Sequence, residues 1–293
     1  MPKYVLFSLI AAIGFSVAGI INKFASKHII TERWPLLFWY YLTFIPFVLI
    51  IPFLAPITIP ATSHQWIFIA AYSLAFLVGN ICFFTAIFQL DASVISPFFQ
   101  LQAAFLAVMA YLFLGERFPL DNYFWIAVLL IVALMVSTDE KLSIKTFFKK
   151  PILLIIAMQL FHAASNLAAG FILKFTDYWN LMWWTSLFST ALVLAFISMV
   201  TGFKVRVSWR QLKPMFAINA VSFIAALSLF RAFQENVTLS GVLSLLTGPI
   251  TFLIVVILSK IRPDLLEHHI GKVYLVRGLG TGLTLLGAVM LSI

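Results

Sequence analysis

The chain has 293 residues, of which 63% are hydrophobic and only 10% charged, and its mean hydropathy is +1.07. A soluble domain carries about 25% charged residues, so too little polar surface is available to coat a water-soluble globule, and the sequence reads as a polytopic membrane protein. A net charge of +9 would elsewhere suggest nucleic acid, but here the nineteen Lys and Arg lie mainly between apolar runs, where they act as topology signals.

A bilayer core of about 30 Å needs about 20 apolar residues in a helix. Runs of that kind fall at 4–23, 34–54, 66–88, 93–114, 121–138, 151–173, 178–201, 211–233, 237–259 and 270–292. Met1-Pro2-Lys3 before the first run resembles a signal-peptide start, but the run is longer than a typical h-region, so it is expected to be an uncleaved span. Prolines and charges punctuate the gaps, among them Pro56, Pro60, Pro119, Pro151, Lys213-Pro214 and Arg262-Pro263. The joints at Leu90-Asp91-Ala92 and Gln234-Glu235-Asn236 are short enough to demand antiparallel neighbours. The single Cys82 lies in an apolar run and excludes a disulfide framework. No metal site or cofactor is expected.

Charge is one-sided along this pattern. Lys3, Arg117, Lys174 and Arg231 mark one face, and the other fifteen Lys and Arg, including Lys141, Lys145, Lys149, Lys150, Lys204, Arg206, Arg210 and Lys213, mark the odd-numbered loops. Basic residues favour the cytoplasm, which would leave both termini outside.

The chain also repeats itself. The first span ends in Lys23-Phe24 and the sixth in Lys174-Phe175, and the joint at residues 86–97 is echoed by that at 232–241. From there Ser96-Pro97 to Pro119 and Ser240-Gly241 to Pro263 run at a constant offset of 144. The expected fold is an all-α integral membrane protein with ten transmembrane helices as two inverted five-helix repeats: residues 1–138, a connecting loop at 139–150, and residues 151–293. Because five is odd, the second copy enters the membrane upside down. Halves related in this way can open a central cavity to each side in turn, which points to a transporter.

Ten spans in about 290 residues, the joint before Ser96-Pro97 and the ending Leu-Gly-Glu-Arg at 114–117 resemble the drug/metabolite transporter superfamily, in its EamA-like branch. The second half departs from that pattern, with Leu258-Ser259-Lys260 where many members repeat Gly-Glu. The resemblance implies secondary transport in the export direction, and both termini in the cytoplasm, opposite to the charge pattern. Small proton-coupled drug exporters of the superfamily use a glutamate in the first span. This first span has none, which argues against proton-driven efflux of organic cations.

Polar groups within spans are costly and tend to face a cavity or another helix. Gln159, His162 and Asn166 recur at i, i+3 and i+7, on one helical face, with Ser165 beside them. They read as a cavity wall, with interhelical hydrogen bonding as the alternative. Gln100, Asn80, Asn219 and Ser244 extend the candidate substrate-binding set, and Pro97, Gly241 and Pro249 are candidate hinges. His162 could couple to protons, since imidazole titrates near neutrality, or serve as a neutral hydrogen-bonding group. Lys23, Lys174 and Arg231 could guide an anionic group, or snorkel to the interface. Trp39-Tyr40-Tyr41 and Trp183-Trp184 could line a pocket, but aromatic residues in membranes more often anchor at the interface.

The expected function is secondary transport of a small polar or amphipathic metabolite, an amino acid or a related organic anion or zwitterion, by export or exchange across the membrane, which would be the plasma (inner) membrane in a bacterium. The partners are the substrate and the lipid bilayer, with no nucleic acid, and the protein would act as a monomer or homodimer. An integral membrane enzyme or flippase-like protein acting on a lipid-linked substrate is the alternative. It would need a convergent acid/base or metal set, and Glu267 with His268-His269, the nearest candidate, reads as a solvated loop.

Overall fold

The computed structural model describes residues 2–90, 98, 100–115, 119–121, 123–125, 127–128, 131, 150–244, 246–259, 278–280, 282–283, 286–287 and 290. The described chain is all-α and contains no strand. Its elements are α1 (Lys3–His28), α2 (Arg33–Leu42), α3 (Ile45–Val48), α4 (Ile51–Leu54), α5 (Ser63–Ala86), α6 (Gln100–Met109) running into a π-helical turn (Ala110–Leu114), α7 (Lys150–Ile172), α8 (Tyr178–Thr201), α9 (Trp209–Phe233), α10 (Val237–Ser244) and α11 (Thr247–Ser259).

Seven helical runs among the described residues are long and apolar enough to cross a membrane: Lys3–His28, Arg33–Leu54, Ser63–Ala86, Lys150–Ile172, Tyr178–Thr201, Trp209–Phe233 and Val237–Val255. They coincide with seven of the ten expected spans. The expected fourth span is helical over residues 100–114, whereas the expected fifth and tenth fall largely outside the described residues.

Local chemistry explains where the helices break. The second span is cut into α2, α3 and α4, with Pro46 and Pro52 in the first turns of the two short helices, where the missing N–H costs no helical bond. Thr62 and Gln65 form a capping box at the start of α5. Asp177 Oδ1 accepts from Asn180 N at 2.8 Å to start α8. That helix ends at Gly202, whose φ of 57° lies in the left-handed region that favours glycine.

Polar contacts tie the helix ends into two faces. On one face Lys23 Nζ donates to Ile87 O at 2.9 Å and Leu90 O at 3.0 Å, at the carbonyl end of α5. Gln211 Nε2 donates to Ile29 O at 2.7 Å, and Trp39 Nε1 to Val205 O at 2.7 Å. On the other face Tyr4 N donates to Glu235 Oε2 at 2.9 Å, and Asn180 Nδ2 donates to Pro56 O while its Oδ1 accepts from Thr58 N. The most extensive helix pairs are α5 with α7 and α1 with α9.

Candidate functional site

A cavity of about 120 Å³ lies at the centre of the described helices. Phe15 of α1, Tyr40 and Tyr41 of α2, Phe44 after α2, and Tyr72 and Phe76 of α5 supply an aromatic wall. The facing wall is Asn166 of α7, Met182, Thr185, Ser186, Ser189 and Thr190 of α8, and Ser222, Ala226, Leu229 and Phe230 of α9. No charged side chain stands among these lining residues.

The hydroxyl pairs Thr185/Ser189 and Ser186/Thr190 are each spaced i, i+4, so they lie one above the other on α8. Thr185 Oγ1 is held by Leu181 O at 2.6 Å, whereas Ser189 Oγ is buried without a partner. Sequence reasoning missed this ladder. Its signal was the i, i+4 repetition of small hydroxyls in an otherwise apolar span.

The candidate residues divide clearly. Asn166 lines the cavity. Asn80 stands behind the wall, its Nδ2 donating to Tyr41 Oη at 3.0 Å and to Phe76 O at 2.9 Å. Asn219 sits behind the same wall: its Nδ2 donates to Tyr40 O and to Thr43 Oγ1, both at 2.7 Å, so two asparagines brace the two cavity tyrosines. The His162 ring stacks on Phe76 with centroids 5.6 Å apart, directly behind a lining residue. It occupies the space that a Cβ on Gly79 would take, 2.5 Å from His162 Cδ2. Gln159 is 0% exposed and neither side-chain amide atom has a partner.

Other candidates lie away from the cavity. Ser244 Oγ donates to Gly241 O at 2.7 Å within α10. Gly241 lies inside α10 against Leu106, and Pro249 lies in the first turn of α11, so the helical run breaks between them, after Ser244. Among the cations, Lys23 Nζ occupies the carbonyl end of α5. The Lys174 ammonium lies 4.9 Å from the Phe171 ring centroid. The Arg231 guanidinium lies 5.4 Å from that of Tyr178 and donates to Gln234 Oε1. Lys174 and Arg231 stand at helix ends, whereas Lys23 lies within α1, short of its end at His28. Tyr40 and Tyr41 line the cavity, whereas Trp39 and Trp184 donate to loop carbonyls of Val205 and Thr58 near the helix ends. The Gln100 side chain, Pro97, Glu116 and the Glu267–His269 cluster lie outside the described residues.

Residues 2–138 match the family model described as the EamA-like transporter family. By this match that stretch of the chain is EamA-like. The EamA-like family is part of the drug/metabolite transporter superfamily, and together with the membrane-length apolar helices the match implies a multi-pass integral membrane transporter of that type. A solved crystal structure covers 98% of the chain with 95% of its own length, at a TM-score of 0.71 and 14% identity. That likeness shows a shared fold over nearly the whole chain. No curated protein matches it.

Proposed function

We propose that the protein is a secondary transporter that moves a small amphipathic metabolite by alternating access between two inverted five-helix halves, residues 1–138 and 151–293. The observation that carries the reading is the cavity itself, where an aromatic wall from the first half faces a hydroxyl and amide wall from the second. Its volume is below the roughly 300–1,000 Å³ of ordinary ligand pockets, so a metabolite requires the helices to part.

The packing supports the inverted arrangement. If α1 corresponds to α7 and α5 to α9, the operator that exchanges the halves turns the α5–α7 pair into the α9–α1 pair, and these are the two most extensive pairs. Parity supports ten spans. α7 runs antiparallel to α5, with Phe171 stacked on Phe68 and His162 on Phe76, so it begins on the face where α5 ends and Lys23 meets Ile87 O. An even number of crossings between the two helices, one of them through α6 and its π-helical turn, fits ten spans.

An uncharged cavity favours solutes without net charge, because an ion buried without a counter-ion costs several kcal/mol. Amino acids and other zwitterions fit this wall better than organic anions, with the polar end on Asn166 and Ser189 and the apolar body against Tyr72 and Phe76. Export or exchange is the expected direction.

The test is counterflow into proteoliposomes across amino acids, organic anions and lipophilic cations. The expected outcome is exchange of net-neutral solutes, with Asn166→Ala slowing it about tenfold, the scale of one or two lost hydrogen bonds. Exchange of none of the panel, or full activity in Asn166→Ala combined with Ser189→Ala, would overturn the reading. For topology, Lys204→Cys in a Cys82→Ser background should react from the cytoplasmic side if the charge pattern sets orientation. Reaction from outside would reverse it.

A further inference from the structure

Directly behind the aromatic wall lies a polar pair that no protein group satisfies. Gln159 is fully buried with both its amide oxygen and its amide nitrogen unpartnered, and His162 Nε2 is likewise buried and unpartnered. An unpaired buried donor or acceptor is destabilising, so this pair points to something that binds there. Phe76 links the two places: it lines the cavity and its ring stacks with that of His162. Asn166, one helical repeat further along the same face of α7, opens into the cavity. The stripe therefore runs from the cavity to the buried amide.

We propose that Gln159 and His162 form a polar subsite, reached from the cavity when Phe76 turns aside, that reads an uncharged substrate group able both to donate and to accept hydrogen bonds, such as a carboxamide, urea or cyclic amide. A primary amide of Gln presents one acceptor and two donors, and the unpartnered His162 Nε2 adds one donor or one acceptor according to its tautomer. A carboxylate can only accept and an ammonium can only donate, so each leaves part of the subsite unpaired. Either would also sit apart from the cations: Lys174 and Arg231 stand at helix ends, Lys23 Nζ is held by Ile87 O and Leu90 O, and the titratable side chains lining the cavity are Tyr40, Tyr41 and Tyr72. Gly79 completes the subsite, because its missing Cβ is what admits the imidazole ring. This rests on the transport reading above and narrows the substrate class.

The experiment uses benzamide, benzoate and benzylammonium, which share a ring and differ in the head group, with the full chain in nanodiscs for equilibrium binding and in proteoliposomes for counterflow. Benzamide should bind about tenfold more tightly than either ion, the worth of one or two neutral hydrogen bonds. Gln159→Leu and His162→Phe should each erase that preference while ring binding persists, and His162→Gln, which keeps a donor and an acceptor, should restore much of it. Should one variant fail to fold, the other reads the same preference. Binding of either ion as tight as benzamide, binding of none of the three, or an unchanged preference in the folded Gln159→Leu and His162→Phe proteins would overturn the proposal, the last meaning that the pair holds water alone. Selective benzamide binding without counterflow sinks the transport reading and leaves the subsite standing. Counterflow of other solutes with no amide preference does the reverse.

Discussion

Two helix crossings carry the core, α1 on α9 and α5 on α7, and they solve the same packing problem with different chemistry. Where α1 meets α9, a Cβ on Gly14 would lie 2.7 Å from Ala225 Cβ, so two backbones touch with nothing flexible between them. Where α5 meets α7, the space beside Gly79 is filled by the His162 ring, a side chain with rotamers to spare. The polar groups differ only in degree. On the helices of the first crossing Ser16 Oγ donates to Ala12 O and Thr247 O and the Asn219 amide nitrogen has two acceptors on the second span, while Ser8 Oγ, Asn22 Oδ1 and Asn219 Oδ1 are buried without a partner. In the second, Gln159 has none for either atom. One crossing is closed by backbone against backbone, and the other by a movable ring beside the cavity.

That contrast can be broken by single substitutions. Gly14→Ala should have the largest effect on stability, about 1–3 kcal/mol from overpacking, read as a drop in the melting temperature of the purified protein, and Ala225→Gly in the same chain should restore most of it. Gly79→Ala should cost less stability, because the imidazole can turn away, yet it should impair solute binding more than Gly14→Ala combined with Ala225→Gly. If Gly79→Ala leaves binding intact, the contrast between the crossings fails. Next in size, Asn219→Ala should lower stability by about 1 kcal/mol, the usual worth of a hydrogen bond between membrane helices, and loosen the wall at Tyr40. The smallest effects concern the cations: Lys23→Met, which removes two bonds to α5 carbonyls, should lower the melting temperature measurably. Lys174→Met, which removes only a ring contact at 4.9 Å, should leave it nearly unchanged. Equal effects would mean that both lysines simply reach for the membrane surface.

The aromatic cluster shows how far pattern reading reached. Composition made Tyr40, Tyr41 and Trp39 candidates for a pocket, with interfacial anchoring the commoner use of such residues. The fold splits the run: the tyrosines turn inward, braced by Asn80 and Asn219, and Trp39 reaches the carbonyl of Val205. The i, i+3, i+7 stripe on α7 was legible because helical periodicity is a property of the chain alone. Which of its members faces open space was not, because that depends on Phe76 and Gly79 arriving from α5, 80 or more residues away in the sequence. The hydroxyl ladder of α8 was overlooked because isolated Ser and Thr are ordinary within spans and gain meaning only when a cavity lies before them.

By itself the sequence determined the solvent, seven of the helical spans and the family resemblance, since these follow from local hydrophobicity, the spacing of prolines and charges, and the Leu-Gly-Glu-Arg ending. Only the tertiary structure decided which polar groups are satisfied and which are not: the Asn219 amide nitrogen finds two acceptors on the second span, and that of Gln159, equally buried, finds none. Satisfaction of a hydrogen bond depends on what another helix brings to within about 3 Å, and no single segment encodes that.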